Sequence, residues 1–148
     1  MTDQNLAKTK EEKNLKNKFS VIDLLMIIML VGVILTIVLP LQQAKRHEAL
    51  VRSSLREMEK IIRANEYFRL NSGWETYAFD IGQLRDFSQQ YMRDLDTSVF
   101  NFAVSDTAIV ATTTQLGLTE KGYWFDLRDK RFRVNDDSRD VIVDAWLP

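Results

Sequence analysis

The residues able to do chemistry are few. The chain of 148 residues has one histidine, no cysteine and five glycines, against 21 carboxylates and 20 lysines and arginines, for a net charge of −1. No nucleophile motif, phosphate-binding glycine loop or metal-ligand spacing occurs, and carboxylate pairs are expected by chance among so many acids. His47 stands among Lys45, Arg46 and Glu48 with no second histidine nearby, which suits a solvated side chain rather than a metal ligand. Asn135, Asp136, Asp137, Asp140 and Asp144 form an acidic run. It lacks the ordered ligand spacing and glycine of a helix-loop-helix calcium loop, so a solvated acidic loop is the expectation, with calcium as the alternative. The expectation is a protein that is not an enzyme and needs no cofactor. Near-neutral charge also argues against binding nucleic acid through phosphate neutralisation.

One acid stands apart. Asp23 lies in Phe19–Pro40, FSVIDLLMIIMLVGVILTIVLP, whose only other polar side chains are Ser20 and Thr36. A helix of that length rises about 33 Å, the hydrocarbon thickness of a bilayer. An ionised group within such a span costs up to roughly 3 kcal/mol at its centre and less near its ends. Asp23 therefore either pairs locally, with Lys16 or Lys18, or meets a cation from another chain. Gly32 permits close helix approach. Pro40 removes a backbone hydrogen bond and is expected to kink or loosen the helix about one turn upstream.

On the N-terminal side of the span, residues 1–18 form a basic leader with Lys8, Lys10, Lys13, Lys16 and Lys18, too poor in apolar residues to order by itself. A basic flank before an apolar span is the signature of a cytoplasmic N-terminus, with the rest across the membrane. Ordinary signal-peptidase cleavage is disfavoured, since the apolar run is long and Gln42 replaces a small residue before Ala44. Residues 41–72 read as an amphipathic continuation of the helix, with Val51, Leu55, Met58 and Ile62 on one stripe, Ile61 and Phe68 broadening it, and Asn71-Ser72-Gly73 as its stop. Glu59–Arg63 is a favourable i,i+4 pair, and Arg52–Arg56 a repulsive one.

Residues 73–148 complete the domain. Trp74, Tyr77, Phe79, Phe87 and Tyr91 crowd the connection. They are expected to cap the core, with a carbohydrate or peptide site as the alternative. Ile81, Leu84, Phe87 and Tyr91 predict a short helix near 81–94. Strands are expected over Val99–Val104, Ala108–Thr113, Tyr123–Leu127 and Arg131–Val134. The last two are joined by a tight hairpin at Arg128-Asp129-Lys130, and Val141–Val143 with Trp146 supplies a final short strand. Short connections favour an antiparallel meander, giving an α+β fold: one long N-terminal helix on a small antiparallel sheet.

The basic leader, Phe-Ser-Val-Ile-Asp and an apolar run ending in proline resemble the N-terminus of type IV pilins and pseudopilins, over about Lys16 to Leu41. The resemblance implies cleavage between Lys18 and Phe19 by a prepilin peptidase and N-methylation of Phe19. It also implies an intersubunit charge pair from Asp23 to a neighbour's amino terminus, and a helix-bending role for Pro40. Lys18 stands where the family favours glycine, and Asp23 where it usually has glutamate. The implied function is a structural subunit of a type IV pilus or of a type II secretion or competence pseudopilus, its N-terminal helix packed in the filament core. The implied partners are like or related pilin subunits, the bacterial inner membrane, the peptidase and the assembly platform. The globular domain would be periplasmic or in an extracellular filament. The alternative is a permanently anchored single-span protein whose extracytoplasmic domain binds a partner or a cell-wall component.

Overall fold

The computed structural model describes residues 20–148. The leader, with Lys18 and Phe19, lies outside them. The chain divides between Gln42 and Gln43 into two compact units. Helix α1, Val21–Asn71, belongs to both.

In the first unit every described side chain is exposed. The helix forms there because a run of Leu, Ile, Val and Met can satisfy its backbone polar groups internally while offering no polar side chain to compete for them. The most apolar 18-residue window of α1 has a mean hydropathy of 3.0 and none of it is buried. It is long and apolar enough to cross a bilayer. Pro40 does not end the helix, which runs on to Asn71.

In the second unit α1 turns a narrow stripe inward: Val51, Ser54, Leu55, Met58, Ile61, Ala64, Asn65 and Phe68 are buried. The expected stripe is the buried one, with Ile61 and Phe68 deeper in it than Ile62. Ile61 is fully buried, while Ile62 is half-exposed. The stripe packs on a four-stranded antiparallel meander in the order β1-β2-β3-β4, comprising β1 Asn101–Val104, β2 Ala108–Thr113, β3 Lys121–Asp126 and β4 Arg131–Val134. Phe102, Val104, Ile109, Ala111, Tyr123, Phe125 and Val134 face the core. The outer face carries the row Ala103, Val110, Trp124, Arg133, set by the register. The fold is therefore α+β, one long helix on a small antiparallel sheet.

Three expectations change. The helix expected near 81–94 is two pieces, α2 Ile81–Phe87 and α3 Gln89–Met92. They part at buried Ser88, whose hydroxyl donates to the Ala64 carbonyl of α1 at 3.1 Å. The tie to α1 takes precedence over local periodicity. The β3–β4 hairpin forms as expected, but β3 ends at Asp126, so its loop is four residues, Leu127 to Lys130, instead of three. Asp126 Oδ1 accepts from the Arg128 and Asp129 amides at 2.9 and 3.1 Å, and Lys130, at φ 55°, closes the loop. Val141–Val143 forms no strand. The Val141 and Ile142 amides both donate to the Ser138 carbonyl, and only Ile142 of the three is buried. β-branched residues favour a strand, but local turns satisfy this backbone instead.

Polar groups pin the second unit. Ser54 Oγ and Tyr123 Oη lie 2.7 Å apart in the core, and burial pushes the Tyr123 phenol well above its ordinary range, only partly opposed by Ser54. Asn65 Oδ1 accepts from the Ala78 amide at 2.9 Å, fastening the connection to α1. The Gly122 amide donates to Ser138 Oγ at 2.8 Å. Glu66 gathers Lys130, Arg69 at 3.1 Å and the Tyr77 hydroxyl at 3.3 Å, tying α1 to the β3–β4 loop. Partial burial alone would raise the Glu66 carboxyl, but hydrogen bonds from Lys130 and Arg69, with their charges, hold it below its ordinary value.

Two outcomes are expected for the full-length protein in detergent. A Cβ on Gly122 would sit 2.2 Å from the Ala111 carbonyl oxygen of the neighbouring strand. Gly122→Ala should therefore lower the unfolding free energy by about 3 kcal/mol or abolish the transition. Glu66 binds protons less readily folded than unfolded, so its contribution is complete above about pH 4.3 and is lost as pH falls through the depressed folded value. Melting temperature followed from about pH 6 down to about pH 3 should fall less steeply for Glu66→Gln than for the parent.

Candidate functional site

The first turn of α1 holds the one acid of the apolar segment. Ser20 is the residue before the helix, and its Oγ accepts from the Ile22 amide at 3.2 Å. Asp23 Oδ2 accepts from the Ser20 amide at 3.0 Å. The two side chains thus satisfy amide groups that have no partner within the helix, a capping box of the form Ser-x-x-Asp. The carboxylate also sits at the positive end of the helix dipole. This local role of Asp23 goes beyond the sequence expectation, although Ser20 three residues before an acid at the head of an apolar run is a legible signal for it. Asp23 Oδ1 makes no hydrogen bond among the described residues.

At the other end of the apolar run, Pro40 has no amide to give the Thr36 carbonyl. The Thr36 hydroxyl donates to the Val33 carbonyl at 2.7 Å. Gly32 has no neighbouring atom that a Cβ would meet, so its face is open. Lys18 and Phe19, the residues of the implied cleavage and methylation, lie outside the described residues.

Beyond the apolar run α1 becomes basic. Lys45, Arg46, Arg52, Arg56 and Lys60 follow within about twenty residues of Pro40, as many as the five lysines of the leader. Arg52 is paired with Glu48 at 2.9 Å, which relieves its repulsion with Arg56. Glu59 and Arg63 are 3.9 Å apart on an exposed face, a pair worth little.

The remaining candidates are dispersed. His47 is half-exposed, and among the described residues no three histidine or carboxylate side chains converge as a metal site would require. In the acidic run Asp140 pairs with Lys121 at 3.0 Å, and that hydrogen bond holds its carboxyl below the usual range. Lys121 also donates to the Asp137 carbonyl. Asp136 lies 3.4 Å from Arg139. The aromatic connection divides: Tyr77 and Tyr91 pack against the core, whereas Trp74, Phe79 and Phe87 are exposed.

The geometry thus presents an exposed apolar helix with a capped, half-engaged acid at its start and a compact helix-on-sheet unit after it. No family model, curated protein or solved structure matches the chain.

Proposed function

We propose that the chain is a structural subunit of a type IV pilus or of a type II secretion or competence pseudopilus, held first in the bacterial inner membrane and then packed by its N-terminal helix into a filament core. It acts by assembly, not catalysis. The observation that carries the reading is the exposed apolar part of α1 with a single acid in its first turn, preceding a helix-on-meander unit. An apolar surface of that extent requires lipid or other helices around it. In the filament the same side chains exchange lipid for neighbouring subunits, at little cost because both surroundings are apolar.

On this reading a prepilin peptidase removes residues 1–18, Phe19 becomes the methylated amino terminus, and an assembly platform draws subunits from the membrane. Asp23 offers Oδ1 to a neighbour's amino terminus while Oδ2 stays on the Ser20 amide. The carbonyl of Thr36, left without its helical donor by Pro40, marks where the helix bends to suit the lattice. The globular unit is then periplasmic or on the filament surface.

A second reading is favoured by one observation. The capping box gives Asp23 a local role, so it accounts for the acid without a second chain. The protein would then be a permanently anchored single-span protein with its leader retained.

Intact mass of the protein extracted from cells with active peptidase separates the two. Loss of residues 1–18 with one added methyl group is expected, and the full-length mass would remove the pilin reading. A paired substitution then tests Asp23. Asp23→Asn should lower incorporation into filaments by about tenfold or more, equivalent to roughly 1.4 kcal/mol. Ser20→Ala, which weakens the cap by about 1 kcal/mol but keeps the charge, should leave incorporation nearly unchanged. Equal losses in the two variants would assign the acid to capping alone.

A further inference from the structure

Phe68, Trp74 and Phe87 build a cleft that neither the core nor the long helix explains. Buried Phe68 forms its floor. Trp74 and Phe87 are steeply inclined to that floor, with centroids 6.3 and 5.2 Å away and interplanar angles of 77° and 74°. Between them is an open space of about 420 Å³, rimmed by Ser72, Gln83 and Asp86. Trp74 is 61% exposed and Phe87 42% exposed, a large apolar area to leave in water when each ring would gain by burial.

The charge of the cleft is specific. Asp86 is the only ionisable residue lining it, and it makes no ion pair among the described residues. Asp86 and Phe87 also border a neighbouring groove, which Arg85 and Arg93 line and which the cleft itself does not include. Elsewhere the protein places its own cations over its aromatic rings. Arg69 and Lys130 lie over Tyr77, at 5.5 and 5.0 Å, and Arg133 lies over Trp124 at 5.6 Å. Trp74 and Phe87 hold no such cation among the described residues. Two aromatic rings steeply inclined to a third, beside a carboxylate with no ion pair among the described residues, bring ring quadrupoles and one negative charge into one aromatic box. Such a box suits a cation that is bulky, apolar at its surface and weakly hydrated. A strongly hydrated ammonium would lose more water than the rings replace, and a phosphate would meet Asp86.

We propose that the cleft between Trp74 and Phe87 binds a small soluble quaternary ammonium of the choline type, its methyl groups against the three rings and its charge balanced by Asp86. The neighbouring Ser72 and Gln83 suit a ligand hydroxyl. The Gln83 carbonyl oxygen is already taken by the Phe79 amide at 2.9 Å, which leaves its side-chain NH₂ as the donor.

The test titrates choline chloride into the full-length protein in a non-ionic polyoxyethylene detergent, followed by tryptophan fluorescence and calorimetry. Saturable binding is expected, with the neutral isostere 3,3-dimethylbutan-1-ol and phosphocholine each weaker by about tenfold. Asp86→Asn should weaken choline by about tenfold while leaving the neutral isostere unchanged. Asp86→Glu, which keeps the charge, should retain binding, and Trp74→Leu should weaken both ligands. The proposal is overturned by absence of saturation up to about 0.1 M choline. It is equally overturned by equal affinity for choline and its isostere, by phosphocholine binding more tightly than choline, or by an unchanged choline affinity in a folded Asp86→Asn protein. A response to glucose with none to choline would assign the cleft to sugars instead.

Discussion

The constraint on which the structure rests is that α1 must satisfy its own backbone wherever its side chains cannot. Within Val21–Leu41 nearly every side chain is a hydrocarbon, and any amide or carbonyl without a partner costs several kcal/mol in an apolar surrounding. Regular helix solves this everywhere except at the start, where the first amides have no acceptor, and at Pro40, where one donor is missing. The few polar residues of the segment fall at these places. Ser20 and Asp23 serve the first turn. Thr36, whose carbonyl loses the donor at position 40, carries a hydroxyl one turn before the proline. Their placement is that of a helix meant to have no water along most of its length.

After Gln42 the same helix solves the opposite problem, burying one stripe while the rest faces water. The stripe includes Ser54 and Asn65 as well as hydrocarbons, and each makes a specific tie. Ser54 meets Tyr123 on β3, and Asn65 holds the backbone at Ala78. A hydrocarbon stripe could slide along the sheet by a turn with small loss, since dispersion contacts are interchangeable. A buried hydroxyl or amide cannot, because a broken buried hydrogen bond leaves an unsatisfied group costing about 1–3 kcal/mol. These polar pins set the register of helix on sheet, and the partly exposed Glu66–Lys130 pair adds to it.

The main elements are legible in the sequence because their signals are strong and local. Ala108–Thr113 is a strand with the limits expected from its β-branched run, and the Asn71-Ser72-Gly73 stop falls where α1 ends, with Gly73 at φ 75°. Where expectation and structure part, a distant partner decides. Ser88 breaks a periodic helix because its hydroxyl reaches Ala64, 24 residues away in sequence. Val141–Val143 has strand composition but folds into turns on Ser138, which is itself held by Gly122. At the candidate site the acid and the proline are legible as residues. The hydrogen bond from the Ser20 amide to Asp23 is legible only as a motif, and the charge of the acid draws the eye away from it.

That hydrogen bond bears on how much Asp23 can do alone. A single amide donor to a carboxylate is worth roughly 1.5–3 kcal/mol, and the helix dipole adds up to about 1 kcal/mol near a helix start. At a membrane interface, where a carboxylate remains partly hydrated, these terms nearly offset the cost of the charge. In a filament core water is excluded, and a buried charge without a counter-ion carries a penalty of several kcal/mol that one amide does not cancel. The capping box therefore offsets much of the cost of a charge at an interface and falls short of it where water is excluded. Oδ1, left open by the cap, is the atom through which a second cation would make up the difference. On the proposed reading, capping and intersubunit pairing would be successive uses of the two oxygens of one carboxylate. An acid one methylene shorter than glutamate is well matched to the first use, because its short arm reaches back to the residue three positions before it.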